Sequence, residues 1–286
     1  MQRKTVAVIV LVVLGLIVVC TAACAMIGVL SYGGLRAFDR AHVEEVTSTE
    51  LSVDAPASLR VHNPVGDVTV RAWDRTDRVE VKAAKEARSL LRPWAEGLLN
   101  QIEVQVRPEG SLVRVDVTLA GDSGTRFGRV DLLISVPEQV DVQVVNETGQ
   151  VRIASTSGDV RVQGETGNVH LENVTVGACE VMKATGDIHF AGHLAAPSAA
   201  EEPREVLLRT ETGSIEFMVP AESQFTLDAE SETGSVTSSF ELQGLQSGKH
   251  QGDLGRWLRG GVNQEPGGRE VVLRTETGNV VVGPRQ

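Results

Sequence analysis

The sequence predicts an all-β fold: a single-stranded β-solenoid-like repeat domain preceded by one N-terminal transmembrane helix. Three observations carry this. Short units ending in Thr-Gly recur through the second half of the chain, and one decapeptide, REVLLRTETG at Arg204 to Gly213, returns almost unchanged as REVVLRTETG at Arg269 to Gly278. Inside the units apolar and polar residues alternate, the period of a strand with one buried and one wet face. A run without charge, Thr5 to Leu30, stands apart from everything that follows it.

The apolar run comes first. About 26 residues rising ~1.5 Å each span roughly 39 Å, more than the ~30 Å hydrocarbon core of a bilayer. Arg3 and Lys4 precede it, so the positive-inside rule keeps residues 1–4 as a cytoplasmic tip and makes 5–30 a signal-anchor. Residues 31–49 read as a linker, with the rest of the chain outside the cytoplasm in a single-pass arrangement. Two rival readings use Cys24: a small-residue cleavage site around Ala23-Cys24-Ala25, or a loose lipobox at Thr21 to Cys24 that would put a lipid on Cys24. Both sit poorly with the apolar run continuing through Met26, Ile27, Gly28, Val29 and Leu30. Cys20 and Cys24 lie in the span, which leaves Cys179 alone beyond it, so no internal disulfide framework or cysteine metal site is expected there.

Composition narrows the class. Aromatics are 3% of the chain while Gly reaches 29 residues, a balance suited to strands and turns rather than to a helix-rich enzyme. The net charge of -11 argues against nucleic acid as a partner, because phosphate binding needs clustered Lys and Arg.

Residues 50–145 read as an N-terminal β region. Leu59/Val61, Val79/Val81, Ile102/Val104/Val106, Val113/Val115/Val117, Val130/Leu132/Ile134 and Val140/Val142/Val144 alternate as strands do. One helix is expected at about 85–100, with Leu90, Leu91, Trp94, Leu98 and Leu99 as its apolar side and Pro93 limiting or kinking it. A helix there would cap an exposed strand edge at the start of the repeats.

Residues 146–283 carry the repeats: NETGQVRI, STSGDVRV, GETGNVHL, KATGDIHF, TETGSIEF, SETGSVTS and TETGNVVV, with NPVGDVTV at Asn63 to Val70 as an earlier relative. The second residue past each Gly is Val or Ile, and the fourth is usually apolar. The structural turns are Gly66, Gly149, Gly158, Gly167, Gly177, Gly186, Gly213, Gly234 and Gly278, each expected at a type II corner with positive φ. From 149 to 186 they fall 9, 9, 10 and 9 apart, so two units make a coil of about 19 residues and successive coils stack at roughly 4.8 Å. Insertions at about 195–203 and 244–268 should bulge from corners. A sandwich of hairpins is the rival architecture.

Three stretches resemble a bacterial cell-envelope family known as "putative adhesin", a domain of unknown function: NPVGDVTVRAW at Asn63 to Trp73, VDLLISVPEQVDVQVVNETGQV at Val130 to Val151, and the serial TSGDV, TGNV and TGDI turns. The resemblance covers roughly residues 50–283. It implies an all-β, solenoid-like domain, often behind an N-terminal membrane segment, with no catalytic residues; no cofactor is expected from the residues either. The long insertion at 244–268 departs from it.

Site chemistry is sparse. His170 and His189 each follow a turn Gly by three residues and should stack on neighbouring coils, giving two solvated histidines or a metal- or pH-responsive pair. Glu147, Glu165, Glu211, Glu232 and Glu276 precede Thr-Gly and, if aligned, form an acidic corner ladder whose simplest role is to keep strands soluble. In GRWLRG, Arg256, Trp257, Leu258 and Arg259 form an apolar, basic tip suited to a partner. The reading is a non-catalytic, membrane-anchored envelope protein that binds or scaffolds, with a protein or cell-surface polymer as partner. The alternatives are an envelope-stress or signalling accessory acting through a membrane partner, and a polysaccharide-active β-helix enzyme.

Overall fold

The computed structural model describes residues 41–53, 57–89, 91–119, 128–195, 205–249, 255–263 and 269–285. The cytoplasmic tip, the signal-anchor and nearly all of the loop expected at 195–203 lie outside the described residues, and no described helix is long and apolar enough to cross a membrane.

Strands dominate. β1 (Ala41–Ser52), β2 (Ala57–Val65), β3 (Val68–Ala72) and β4 (Arg78–Ser89) precede α1 (Arg92–Leu99). β5 (Glu103–Glu109), β6 (Leu112–Thr118), β7 (Gly128–Val136) and β8 (Val140–Thr148) follow. Then come β9 (Val151–Ala154), β10 (Val160–Thr166), β11 (Val169–Val176), β12 (Cys179–Thr185), β13 (Ile188–Leu194), β14 (Val206–Thr212) and β15 (Ile215–Val219). The chain ends with β16 (Phe225–Thr233), β17 (Val236–Ser238), β18 (Leu242–Lys249), β19 (Arg256–Val262), β20 (Glu270–Thr277) and β21 (Val280–Pro284). They build a 10-stranded sheet, β1-β4-β7-β3-β9-β11-β13-β15-β21-β17, and an 11-stranded sheet, β18-β19-β16-β20-β14-β12-β10-β8-β2-β6-β5. Each coil gives one strand to each sheet, and inward Val, Ile, Leu and Phe from both sheets form one core.

The coils β8/β9, β10/β11, β12/β13 and β14/β15 stack in parallel and in chain order. At both ends the order breaks. The β2/β3 coil sits between β6/β7 and β8/β9, and the β20/β21 coil inserts between β14/β15 and β16/β17. The repeated decapeptides are therefore direct neighbours: Val206 pairs with Val271, Leu208 with Leu273 and Thr210 with Thr275. Antiparallel strands close the stack, with β5 on β6 and β4 and β1 on β7 at one end, and β19 and β18 on β16 at the other.

Several expectations change. The two sheets run through both sides of residue 145, so the N-terminal β region belongs to the same stack as the repeats. Part of the linker expected at 31–49 is strand β1. The helix is shorter than 85–100. Lys85 to Ser89 continue β4, because both edges of that strand are paired, to β1 and to β7, and paired backbone outweighs the helix propensity of its alanines. Pro93 lies in the first turn of α1, where its missing N–H costs nothing, so it starts the helix rather than kinking it. Ala95 and Leu99, four apart, are the buried side of α1, and Leu91 and Trp94 face outward. The described part of the 244–268 insertion is the antiparallel pair β18–β19.

The corner explains the recurring Thr-Gly. Gly186 has φ 138°, beyond the φ of about +80° of a type II corner and in a region that residues with a Cβ rarely enter. A Cβ there would also lie 2.2 Å from the carbonyl oxygen of Gly167. The same contact runs down a column of Gly66, Gly149, Gly167, Gly186, Gly213, Gly278 and Gly234, each facing the backbone of the next coil. Gly158, with φ 151°, turns the opposite corner, while Gly177 at that side is not in a positive-φ conformation.

Polar groups lock the column on either side. At three of the described corners a buried side chain three residues before the glycine donates to the neighbouring corner carbonyl: Thr210 Oγ1 to Gly186 O at 3.0 Å, Thr275 Oγ1 to Gly213 O at 2.8 Å and Ser231 Oγ to Gly278 O at 2.7 Å. One residue after it, Asp or Asn accepts from the backbone N–H of the next coil. Gln150 N–H donates to Asp67 Oδ1 at 2.8 Å, Ser214 N–H to Asp187 Oδ1 at 2.8 Å and Ser235 N–H to Asn279 Oδ1 at 3.0 Å. Each coil thus satisfies backbone groups that the turn frees.

Lys183 breaks this pattern. It occupies the donor position three before Gly186, is 4% exposed, and its Nζ has no hydrogen-bond partner among the described residues. Gly164 on the adjacent strand makes the room: a Cβ there would meet Lys183 Nζ at 2.7 Å. Burial pushes the ammonium down to about 8, with Glu165 acting in the opposite direction. Because the folded pKa lies below the unfolded one, the cost of holding this lysine charged is fully present below about pH 8 and is relieved as pH rises toward 10.5. Lys183→Met is therefore expected to raise Tm at pH 7. Its advantage over wild type should shrink between pH 8 and 10.5, as read by paired thermal melts. An advantage that does not change with pH would show that Lys183 is solvated as an ordinary surface lysine.

Candidate functional site

Three outward-facing features gather the residues that sequence reading singles out. On the 10-stranded sheet His170 stands in register with His189, their ring centroids 6.0 Å apart. The row continues through Arg152 on β9 and Glu216 on β15. His189 Nδ1 lies 2.8 Å from Glu216 Oε2, so the carboxylate orients the ring. Partial burial, reinforced by the positive charge of Arg152 and by the neighbouring His189 ring, holds His170 below the usual imidazole range. Asn168, Glu172, Asp187 and Ser214 complete a shallow depression around the pair. Among the described residues no group of three or more His, Cys, Asp or Glu is placed to share a metal ion, so the geometry gives a paired, solvent-facing histidine row. Glu216 was legible in principle: it too is the third residue past a turn glycine.

The second feature is the acidic corner. The threonines of Thr-Gly align across the coils, Thr148 with Thr166, Thr166 with Thr185, Thr185 with Thr212, Thr212 with Thr277 and Thr277 with Thr233. The residues before them therefore share one exposed column: Glu147 and Glu165, then Ala184, then Glu211, Glu276 and Glu232. Ala184 divides it. Arg209 approaches Glu276 at 3.6 Å, so part of the acid is neutralised within the sheet.

The third feature corrects the expected loop tip. Arg256, Trp257, Leu258 and Arg259 are part of strand β19, held between β16 and β18. Leu258 pairs with buried Ala229 and packs toward the core, while Trp257 and Arg259 face outward. Trp257 lies against Gly248, where any Cβ would collide with the indole, and the Arg259 guanidinium stacks 5.6 Å from its ring centroid. Arg259 Nε donates to Asp228 Oδ1 at 2.9 Å, and Arg274 donates to both Asp228 oxygens at 2.9 and 2.7 Å. Burial works against ionisation of Asp228, but the hydrogen bonds from Arg274 and Arg259 win and hold it below the usual carboxylate range. Arg274 also reaches Glu230 at 2.9 Å. This network was not legible in the sequence, since Asp228, Arg259 and Arg274 are brought together by β16 pairing with two strands far along the chain.

Cys179 lies inside the stack, 1% exposed, and burial pushes its thiol up to about 12. It is a core residue.

Among curated proteins none matches the chain. Among solved structures it is similar to a "putative cell adhesion protein" from Clostridium sporogenes ATCC 15579, at 12% identity and a TM-score of 0.46, over 86% of this chain and 100% of that one. It is also similar to a "putative adhesin" from Bacteroides fragilis NCTC 9343, at 11% identity and a TM-score of 0.40, over 84% of this chain and 97% of that one. The sequence itself matches the family Toastrack DUF4097 across residues 57–282, and the chain belongs to that family.

Proposed function

We propose that this chain is a membrane-anchored, extracytoplasmic module of the bacterial cell envelope that binds or scaffolds without catalysing a reaction. The observation that carries this reading is the pairing of outward charges along in-register rows. Arg161 meets Glu180 at 2.5 Å, and Arg274 bridges Asp228 and Glu230. Catalytic acids and bases need convergent groups held in a cleft with shifted pKa values, whereas these groups neutralise one another along flat strands. Rows repeating at about 4.8 Å suit an extended partner surface or polymer. The apolar run Thr5–Leu30, with Arg3 and Lys4 before it, supports the anchor and its orientation. Within this reading the outer face of β18–β19, with Trp257 and Arg259, is the partner contact.

Labelling in intact cells tests the placement. A Cys20→Ala/Cys24→Ala background leaves only the buried Cys179, which should react with maleimide only after denaturation. Added to it, Glu276→Cys is expected to label with a membrane-impermeant maleimide, and Gln2→Cys only after lysis. The reverse pattern overturns the topology. Retention of the full chain on isolated envelope polymer, reduced by Trp257→Ala/Arg259→Ala, is the expected binding result; unchanged retention in that variant removes the β18–β19 face from the reading.

A further inference from the structure

The end of the stack nearest the N-terminus carries an exposed apolar pair that no described residue covers. Trp94 is 60% exposed and Leu91 53% exposed. Leu91 caps the N-terminus of α1 and Trp94 lies in its first turn, so both are exposed at that end of the helix, while Ala95 and Leu99 further along are buried. Register places this pair beside the point where the chain enters the domain: Ala41 pairs with Ser89 and His42 with Arg88. Ser89 is two residues from Leu91. Ten residues, 31–40, separate that entry point from the end of the apolar run at Leu30, and they can span at most roughly 36 Å.

We propose that α1 docks on the bilayer surface, with Trp94 and Leu91 seated in the headgroup–acyl boundary. The proposal rests on the membrane-anchored reading and adds to it an orientation of the stack. Tryptophan is the side chain most at home at that depth, having an apolar body and a polar N–H. The basic neighbours are neutralised, Arg88 by Glu86 and Arg92 by Glu96, so attraction to anionic lipid is not the driving force and apolar insertion is. A protein partner is the weaker fit. One tryptophan and one leucine offer a few hundred Å² at most, whereas a stable protein interface needs about 1,000 Å² or more. A small contact is enough for a surface that a short tether already holds close, because the second contact is then intramolecular.

The test uses the full chain reconstituted into phosphatidylcholine–phosphatidylglycerol vesicles, with and without lipid brominated high in the acyl chain. In a Trp73→Phe/Trp257→Phe protein the remaining Trp94 is expected to lose most of its emission to brominated lipid and to resist aqueous iodide. In the wild-type background, Trp94→Ser should remove the same quenched component, which keeps the test valid if the double variant folds poorly. Quenching should survive high salt. A chain that floats with the vesicles while Trp94 stays open to iodide and blind to brominated lipid overturns the docking and leaves the anchor standing. A chain that does not float overturns both. Shielding of Trp94 from both quenchers, with crosslinked dimers, assigns the face to a second copy and also overturns the proposal.

Discussion

Gly186→Ala is expected to remove a large part of the domain's stability, about 2–6 kcal/mol out of the ~5–15 typical of a folded domain. Two costs combine. The backbone at Gly186 holds φ 138°, a strained conformation for any residue with a Cβ, worth about 1–3 kcal/mol. The new Cβ would also sit 2.2 Å from Gly167 O, and the atom it strikes is backbone, which cannot swing aside as a flexible side chain would. Relieving the clash means separating two coils whose strands are paired on both sheets, at a further cost of about 1–3 kcal/mol. Gly97→Ala is the control. Gly97 lies in α1 with nothing within 4 Å of a built Cβ, so alanine there should stabilise by about 0.5–1 kcal/mol. Urea denaturation of the two variants should move the midpoint in opposite directions. Equal shifts would mean that the corner column is not the constraint the coil stacking rests on.

Phe217→Ala should cost about 3–5 kcal/mol. Phe217 is fully buried, stacked on Phe190 at 4.8 Å between centroids and edge-on to Phe225 at 5.9 Å. The ring therefore links β15 to β13 beside it in the same sheet and to β16 of the facing sheet. Removing it opens a cavity that parallel strands, fixed at their spacing by backbone hydrogen bonds, cannot close by collapsing. Val281→Ala on the neighbouring strand β21 is the comparison. Val281 is 38% exposed and should shift stability by less than ~0.5 kcal/mol. Comparable losses from the two variants would place the aromatic cluster outside the cooperative core.

Much of this protein could be read locally. Alternation such as Val169-His170-Leu171 and Ile188-His189-Phe190 determined strands with a buried face, because a period of two in polarity has no other economical folded form. Serial Thr-Gly determined corners, and their spacing determined that the corners stack. The His170–His189 pairing and the alignment of the corner glutamates followed from the same spacing, since residues at one offset from equivalent glycines share one row. The asparagines and aspartates after the glycines were visible in TGN and TGD, but their role was not, because their partner N–H groups belong to another coil.

Only the tertiary structure decided which coil lies beside which. The repeats are chemically near-equivalent, so a strand such as β20 could pair almost equally well with several neighbours. Local sequence carries no term that separates those choices. Its place between β14 and β16 depends on the hairpin β18–β19, which consumes the free edge of β16 and sends the chain back. The same reason hid the strand at Lys85–Ser89. Its Lys, Glu, Ala and Arg suit a helix in isolation, and only the presence of β1 on one edge and β7 on the other makes the extended form lower in free energy. Leu91 and Trp94 look like core residues in the sequence. They are left outside because α1 is only two turns long and uses Ala95 and Leu99 to meet the strands.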